Sequence, residues 1–145
     1  MGKIHKRTQD GPYMEWEDVE KTVYEGDTVA SGASKQVLIN KETGAPFFGM
    51  RYFTIPPHGK SNLDHHVHDH GVMIMHGEGR VLLDEEWHEI SAGDIVYVPG
   101  WEIHQFESTT DEPLTFLCVV PARPETQEEL LAEKPHLRLD TKLES

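Results

Sequence analysis

The chain has 145 residues, with 26 acidic against 13 basic side chains and a formal net charge of -13. A surface this acidic repels nucleic acid and anionic membranes, which sets both aside as partners. A single cysteine, Cys118, leaves no internal disulfide framework; with no apolar run long enough for a membrane span and no secretory segment at the start, one soluble, cytoplasmic domain is expected.

Residues 1–33 are polar and broken by Gly11-Pro12, Gly26 and Gly32, and their apolar residues hold neither a strand nor a helix period. They predict an irregular arm with one short helix or edge strand. From Lys35 the pattern becomes regular. Gln36 to Asn40 and Phe47 to Ile55 read as two strands joined by a turn at Lys41 to Gly44, and Pro56-Pro57 ends the second because proline cannot donate to a ladder. Short apolar runs follow at Val72–His76, Gly79–Leu83, Trp87–Ile90, Ile95–Val98, His104–Phe106 and Leu114–Val120, separated by Gly, Asp and Pro turns. Strands this short and this evenly spaced predict an all-β sandwich or barrel over residues 34–121. In the tail, 122–145, the stretch Pro124 to Lys134 has acidic residues in its first turn and reads as a short helix stopped by Pro135.

Between the second and third strands lies Asp64-His65-His66-Val67-His68-Asp69-His70. Neutral imidazole is the commonest protein ligand for transition metals, and mixed nitrogen and carboxylate sets suit manganese, iron, nickel, zinc or cobalt. On a straight strand Asp64, His66, His68 and His70 would share one face, but at about 3.3 Å per residue His66 and His70 would lie roughly 13 Å apart, too far for one ion. The chain must therefore bend between them if both are to act together.

Two spaced motifs give this stretch a family likeness. Gly59 is followed by Asp64-x-His66, then by His70 and Gly77; later Gly93 leads to Pro99 and, at a fixed distance, to His104. The pattern resembles that of the cupin superfamily, whose members are small double-stranded β-helix (jelly-roll) barrels. Phe48 to Thr54, Trp101 to His104 and Phe116 to Pro121 look most like the small bacterial cupins with a four-histidine manganese site. The resemblance implies a metal held by Asp64, His66, His70 and His104. Asp64 takes the place of the first motif histidine and His70 that of the motif carboxylate, so three histidines and one carboxylate remain with two positions exchanged. Manganese, iron or nickel is the expected ion, with zinc or cobalt as alternatives. His68 is expected beside the metal, with ligation as its alternative role, and His76, Cys118, Phe106 and Tyr52 as residues of the pocket. In function the likeness points first to a metal-dependent oxygenase or dioxygenase acting on a small organic substrate. A sugar or carboxylic-acid isomerase or lyase, with His68 or His76 as base, and a non-enzymatic binding protein are the alternatives. Small cupins also resemble one another in pairing, so a homodimer is expected.

Overall fold

A computed structural model describes residues 2–122. The regular part is built wholly from β-strands in two facing sheets. A six-stranded sheet runs in the order β3 (Lys21–Val23), β4 (Ser34–Ile39), β5 (Phe48–Ile55), β11 (Leu114–Pro121), β6 (His70–His76), β9 (Ile95–Val98). Facing it is a three-stranded sheet in the order β10 (His104–Ser108), β7 (Glu78–Leu83), β8 (Glu86–Ser91). All pairings are antiparallel. This is the sandwich expected from the strand spacing, in the jelly-roll form that the family resemblance implies. Among the described residues no helix is long and apolar enough to cross a membrane.

Alternation along each strand explains the core. On β6, His70, Val72 and Ile74 are buried while Met73 and Met75 face outward. Val81, Ile90, Val98, Phe106, Leu114 and Phe116 complete the packing between the sheets. The chain passes from one sheet to the other at Gly77, which has φ +88 and sits so close to Pro113 that an added Cβ would lie 2.2 Å from its carbonyl oxygen. Only glycine fits that corner without displacement.

Of the short helix or edge strand expected in the arm, the structure shows the edge strand, and adds a hairpin before it. Arg7–Gln9 (β1) and Glu15–Trp16 (β2) form a hairpin, and β3 joins the large sheet at its edge. The hairpin covers the outer face of β4 and β5. Gln36 donates to the Met14 carbonyl at 2.8 Å, Tyr52 donates its hydroxyl to the Pro12 carbonyl at 3.0 Å, and the Trp16 ring meets the Tyr52 ring edge-on at 5.1 Å. That cover buries a sheet face that would otherwise be wet. The turn between β4 and β5 is a 3-10 turn at Lys41–Thr43, capped reciprocally by Asn40 and Thr43. The helix expected over 124–134 lies outside the described residues.

Candidate metal centre

The histidine stretch bends as the spacing requires. Residues 65–69 leave the sheet, and β6 starts only at His70. Two tethers fix the bend. Asp64 and His104 exchange backbone hydrogen bonds of 3.0 and 2.9 Å, and the Trp101 amide donates to the His66 carbonyl at 2.6 Å. Trp101 reaches that position at φ +69, in the left-handed region where a bulky residue is held only by its surroundings. Beside it, a Cβ on Gly100 would lie 2.4 Å from the Val67 carbonyl oxygen, so the absence of a side chain lets the two loops meet.

The result is that His66 from the bend, His70 from β6 and His104 from β10 each bring one ring nitrogen within 4.8 Å of the others. The Nε2 atoms of His70 and His104 are 3.2 Å apart. Their outer nitrogens are tied back. His66 Nδ1 lies 2.8 Å from the His68 carbonyl and His104 Nδ1 lies 2.8 Å from the Glu102 carbonyl. A carbonyl only accepts, so both Nδ1 atoms carry the proton and both Nε2 atoms present lone pairs. His70 Nδ1 faces Cys118 Sγ at 3.0 Å. With a proton on Nδ1 directed to sulfur, the third Nε2 also offers a lone pair. Three ring nitrogens converging on one point then form a donor set that fits a divalent transition metal.

Electrostatics favour the same state. Burial first, and then the neighbouring imidazoles, push the His70 pKa down to about 2. Burial likewise lowers His104, against the opposing pull of its bond to the Glu102 carbonyl. The rings are therefore neutral and ready to ligate at pH 7. His68 stacks on His66, with centroids 3.6 Å apart and planes at 6°, and burial followed by the His66 charge takes it down to about 4. The sign of the pH dependence follows. The unfolded chain takes up protons on these histidines near pH 6.5, while the folded chain refuses them until much lower pH. Stability of chelator-treated protein should thus be fully present above about pH 6.5 and fall as pH drops toward 4. Thermal melts at pH 7.5 and 5 check this, and His68→Gln should shrink the difference; an equal loss in that variant would contradict the assignment to His68.

These rings open onto a cavity of about 270 Å³. One wall is a row of phenylalanines, with Phe53 and Phe106 stacked on either side of Phe116 at 5.1 and 4.4 Å. Phe106, Cys118 and His68 line the cavity. Asp64 lies on its rim, but its Oδ1 accepts from the His65 amide at 3.0 Å and it is not in the group of converging ligand atoms. Two expected pocket residues lie elsewhere. Tyr52 points to the opposite face of β5, under the arm, and does not line the cavity. His76 lies six residues along β6 from His70, roughly 20 Å away, past a register shift in the β6–β11 ladder and in a surface cleft where its ring faces Glu112 at 3.7 Å.

The sequence reading missed Lys35 and Arg51, which line the cavity alongside the histidines. Arg51 donates from Nη2 to Cys118 Sγ at 3.3 Å, and its guanidinium carbon lies 5.1 Å from the centre of the Phe53 ring. Alternation sets Arg51, Phe53 and Ile55 on one face of β5 and Tyr52 and Thr54 on the other, but both faces are covered, so the pattern alone does not say which one lines the cavity.

The profile of the cupin domain family matches residues 51–120. The chain is 39% identical over 111 residues, 74% of its own length and 69% of the relative's, to the 1-methylthio-D-xylulose 5-phosphate methylsulfurylase of Rhodospirillum rubrum. Among solved structures it resembles a cupin-2 domain protein from Rhodospirillum rubrum, with TM-score 0.70 and 33% identity over 82% of this chain and 84% of that one. It also resembles a sugar phosphate isomerase of the cupin superfamily from Silicibacter pomeroyi, with TM-score 0.64 and 29% identity over 74% of each chain.

Proposed function

Since the chain belongs to the cupin superfamily, we propose that it is a metal-dependent enzyme that acts beside the carbonyl group of a small phosphorylated sugar. The observation that carries this reading is the convergence of His66, His70 and His104 at one end of a small, phenylalanine-walled cavity. A divalent transition ion held by these three nitrogens would supply Lewis acidity to a substrate oxygen. The remaining roles fall to the protein. Phe53, Phe106 and Phe116 exclude water and bound the substrate's length. His68, whose ring nitrogens take part in no hydrogen bond among the described residues, is uncharged at pH 7 and lines the cavity next to His66. It would accept the proton from the hydroxyl-bearing carbon beside the carbonyl and return it to the former carbonyl carbon, while the hydroxyl proton passes to the carbonyl oxygen, an isomerisation that needs no outside oxidant or reductant.

The two named relatives act on, or are named for, sugar phosphates, which supports this substrate class over the oxygen chemistry expected from the sequence. The test is to load the protein with manganese, iron or nickel and offer ketose and aldose phosphates and 1-methylthio-D-xylulose 5-phosphate in deuterated water. Deuterium entering beside the carbonyl, lost in His68→Gln, is the expected result. Oxygen uptake without such exchange would replace this reading by the oxygenase one. The expected homodimer has a surface to use. Met73 on β6, Ile95 and Tyr97 on β9 and Val119 on β11 are all exposed on the outer face of the large sheet, and light scattering in solution decides whether they pair.

A further inference from the structure

Lys35 and Arg51 are the feature that a metal centre alone leaves unexplained. The chain carries twice as many acidic as basic residues. Basic side chains with a carboxylate partner are correspondingly easy to find: Arg7 with Asp10, Lys21 with Glu15, and both Lys60 and Arg80 with Glu107. Lys35 and Arg51 are half-buried, line the same cavity, and have no ion pair among the described residues. They lie on adjacent strands, with Lys35 opposite Phe53 and Arg51 opposite Val37 in the β4–β5 register, so both project from the same face. The Nε of Arg51 is fully buried and has no hydrogen-bond partner. Each charge also bears on the other, since burial and then Arg51 lower the Lys35 pKa.

Two like charges brought together in a partly dry cavity are unfavourable, and an unpartnered guanidinium donor more so. A sequence this rich in carboxylates could have neutralised them from a neighbouring strand. We propose that Lys35 and Arg51 form an anion clamp that holds the phosphate group of the substrate in the cavity beside the three histidines. This assignment rests on the reading of the cavity as a substrate site. An arginine fork and a lysine point charge are the usual partners of phosphate oxygens, and inside a cavity such charge-assisted bonds are stronger than on the surface. The contact of Arg51 with Cys118, and of Cys118 with His70, fixes the guanidinium relative to the histidines. The clamp and the three nitrogens therefore grip two parts of one short molecule, and a sugar without its phosphate would lose one of them.

Inorganic phosphate is the probe, titrated by calorimetry or phosphorus NMR into the full chain after metal removal. Wild type should bind it, sulfate should compete, and Lys35→Gln and Arg51→Gln should each weaken binding by roughly 10–100-fold, the loss expected for a charge-assisted bond. Arg51→Lys should keep part of the affinity, which separates lost charge from lost fold, and Lys60→Gln should leave binding unchanged. Absence of phosphate binding in a folded wild-type chain would overturn the clamp, as would equal binding by the Lys35→Gln/Arg51→Gln protein. Tighter binding of malonate than of phosphate would overturn the choice of phosphate. Since the probe has no carbonyl and the metal is absent, these results stand apart from the deuterium-exchange test. A protein that binds phosphate but exchanges no deuterium would support the clamp and refute the proposed reaction.

Discussion

Replacing Gly77 by alanine should destabilise the protein more than any other single methyl added to a glycine turn. At φ +88 an alanine pays the left-handed backbone penalty, about 1–2 kcal/mol. In addition its Cβ would stand 2.2 Å from the Pro113 carbonyl oxygen and 3.3 Å from the Leu114 backbone, so the corner joining the two sheets must open. Such overpacking costs about 1–3 kcal/mol further. Gly93→Ala isolates the first contribution, because Gly93 has φ +95 but open space where its Cβ would go. Urea unfolding of both variants should show Gly77→Ala losing about 2–5 kcal/mol, a large part of the stability of a domain this size. Equal losses in the two would show that the corner is looser than its contacts imply.

The second large effect concerns the metal. An ion that binds the folded chain and not the unfolded one stabilises by about 2.7 kcal/mol at one hundred times its dissociation constant. For a domain of this length that is a rise in melting temperature of roughly 5–15 °C. Chelator-treated wild type should show such a rise with manganese, nickel or zinc, and His104→Ala should show almost none. His104 is buried between His66 and His70, so its removal takes away one of the three converging nitrogens. Asp64→Ala decides whether that carboxylate joins the set. A rise as large as in wild type would confine the ligands to the three histidines.

Much of this molecule is legible in the sequence, for physical reasons that can be named. Short apolar runs between glycine and proline turns have few arrangements other than facing sheets, and every run from β4 to β11 forms a strand within a few residues of its expected place. The bend in the histidine stretch follows from chain geometry alone. Strand parity in β5 was harder to read. Phe48 to Ile55 is apolar on both faces because the inner face lines the cavity and the outer one is roofed by the arm, so nothing in its pattern tells Tyr52 from Arg51. The arm itself owes its place to long-range contacts with Gln36 and Tyr52, which no local pattern announces. His76 lies at the far end of β6, beyond a register shift that the sequence does not show. Lys35 stays hidden because its role depends on what is missing around it, a carboxylate partner, and pairing across strands is visible only once the register is known.

The convergence of His66, His70 and His104 on one point is the feature on which the metal-dependent reading rests. The most direct measurement is elemental analysis of untagged protein purified without chelator, repeated after reconstitution. The account predicts about one manganese, iron or nickel ion per chain, bound through the three histidine nitrogens. A chain that carries no stoichiometric metal even after reconstitution would contradict it.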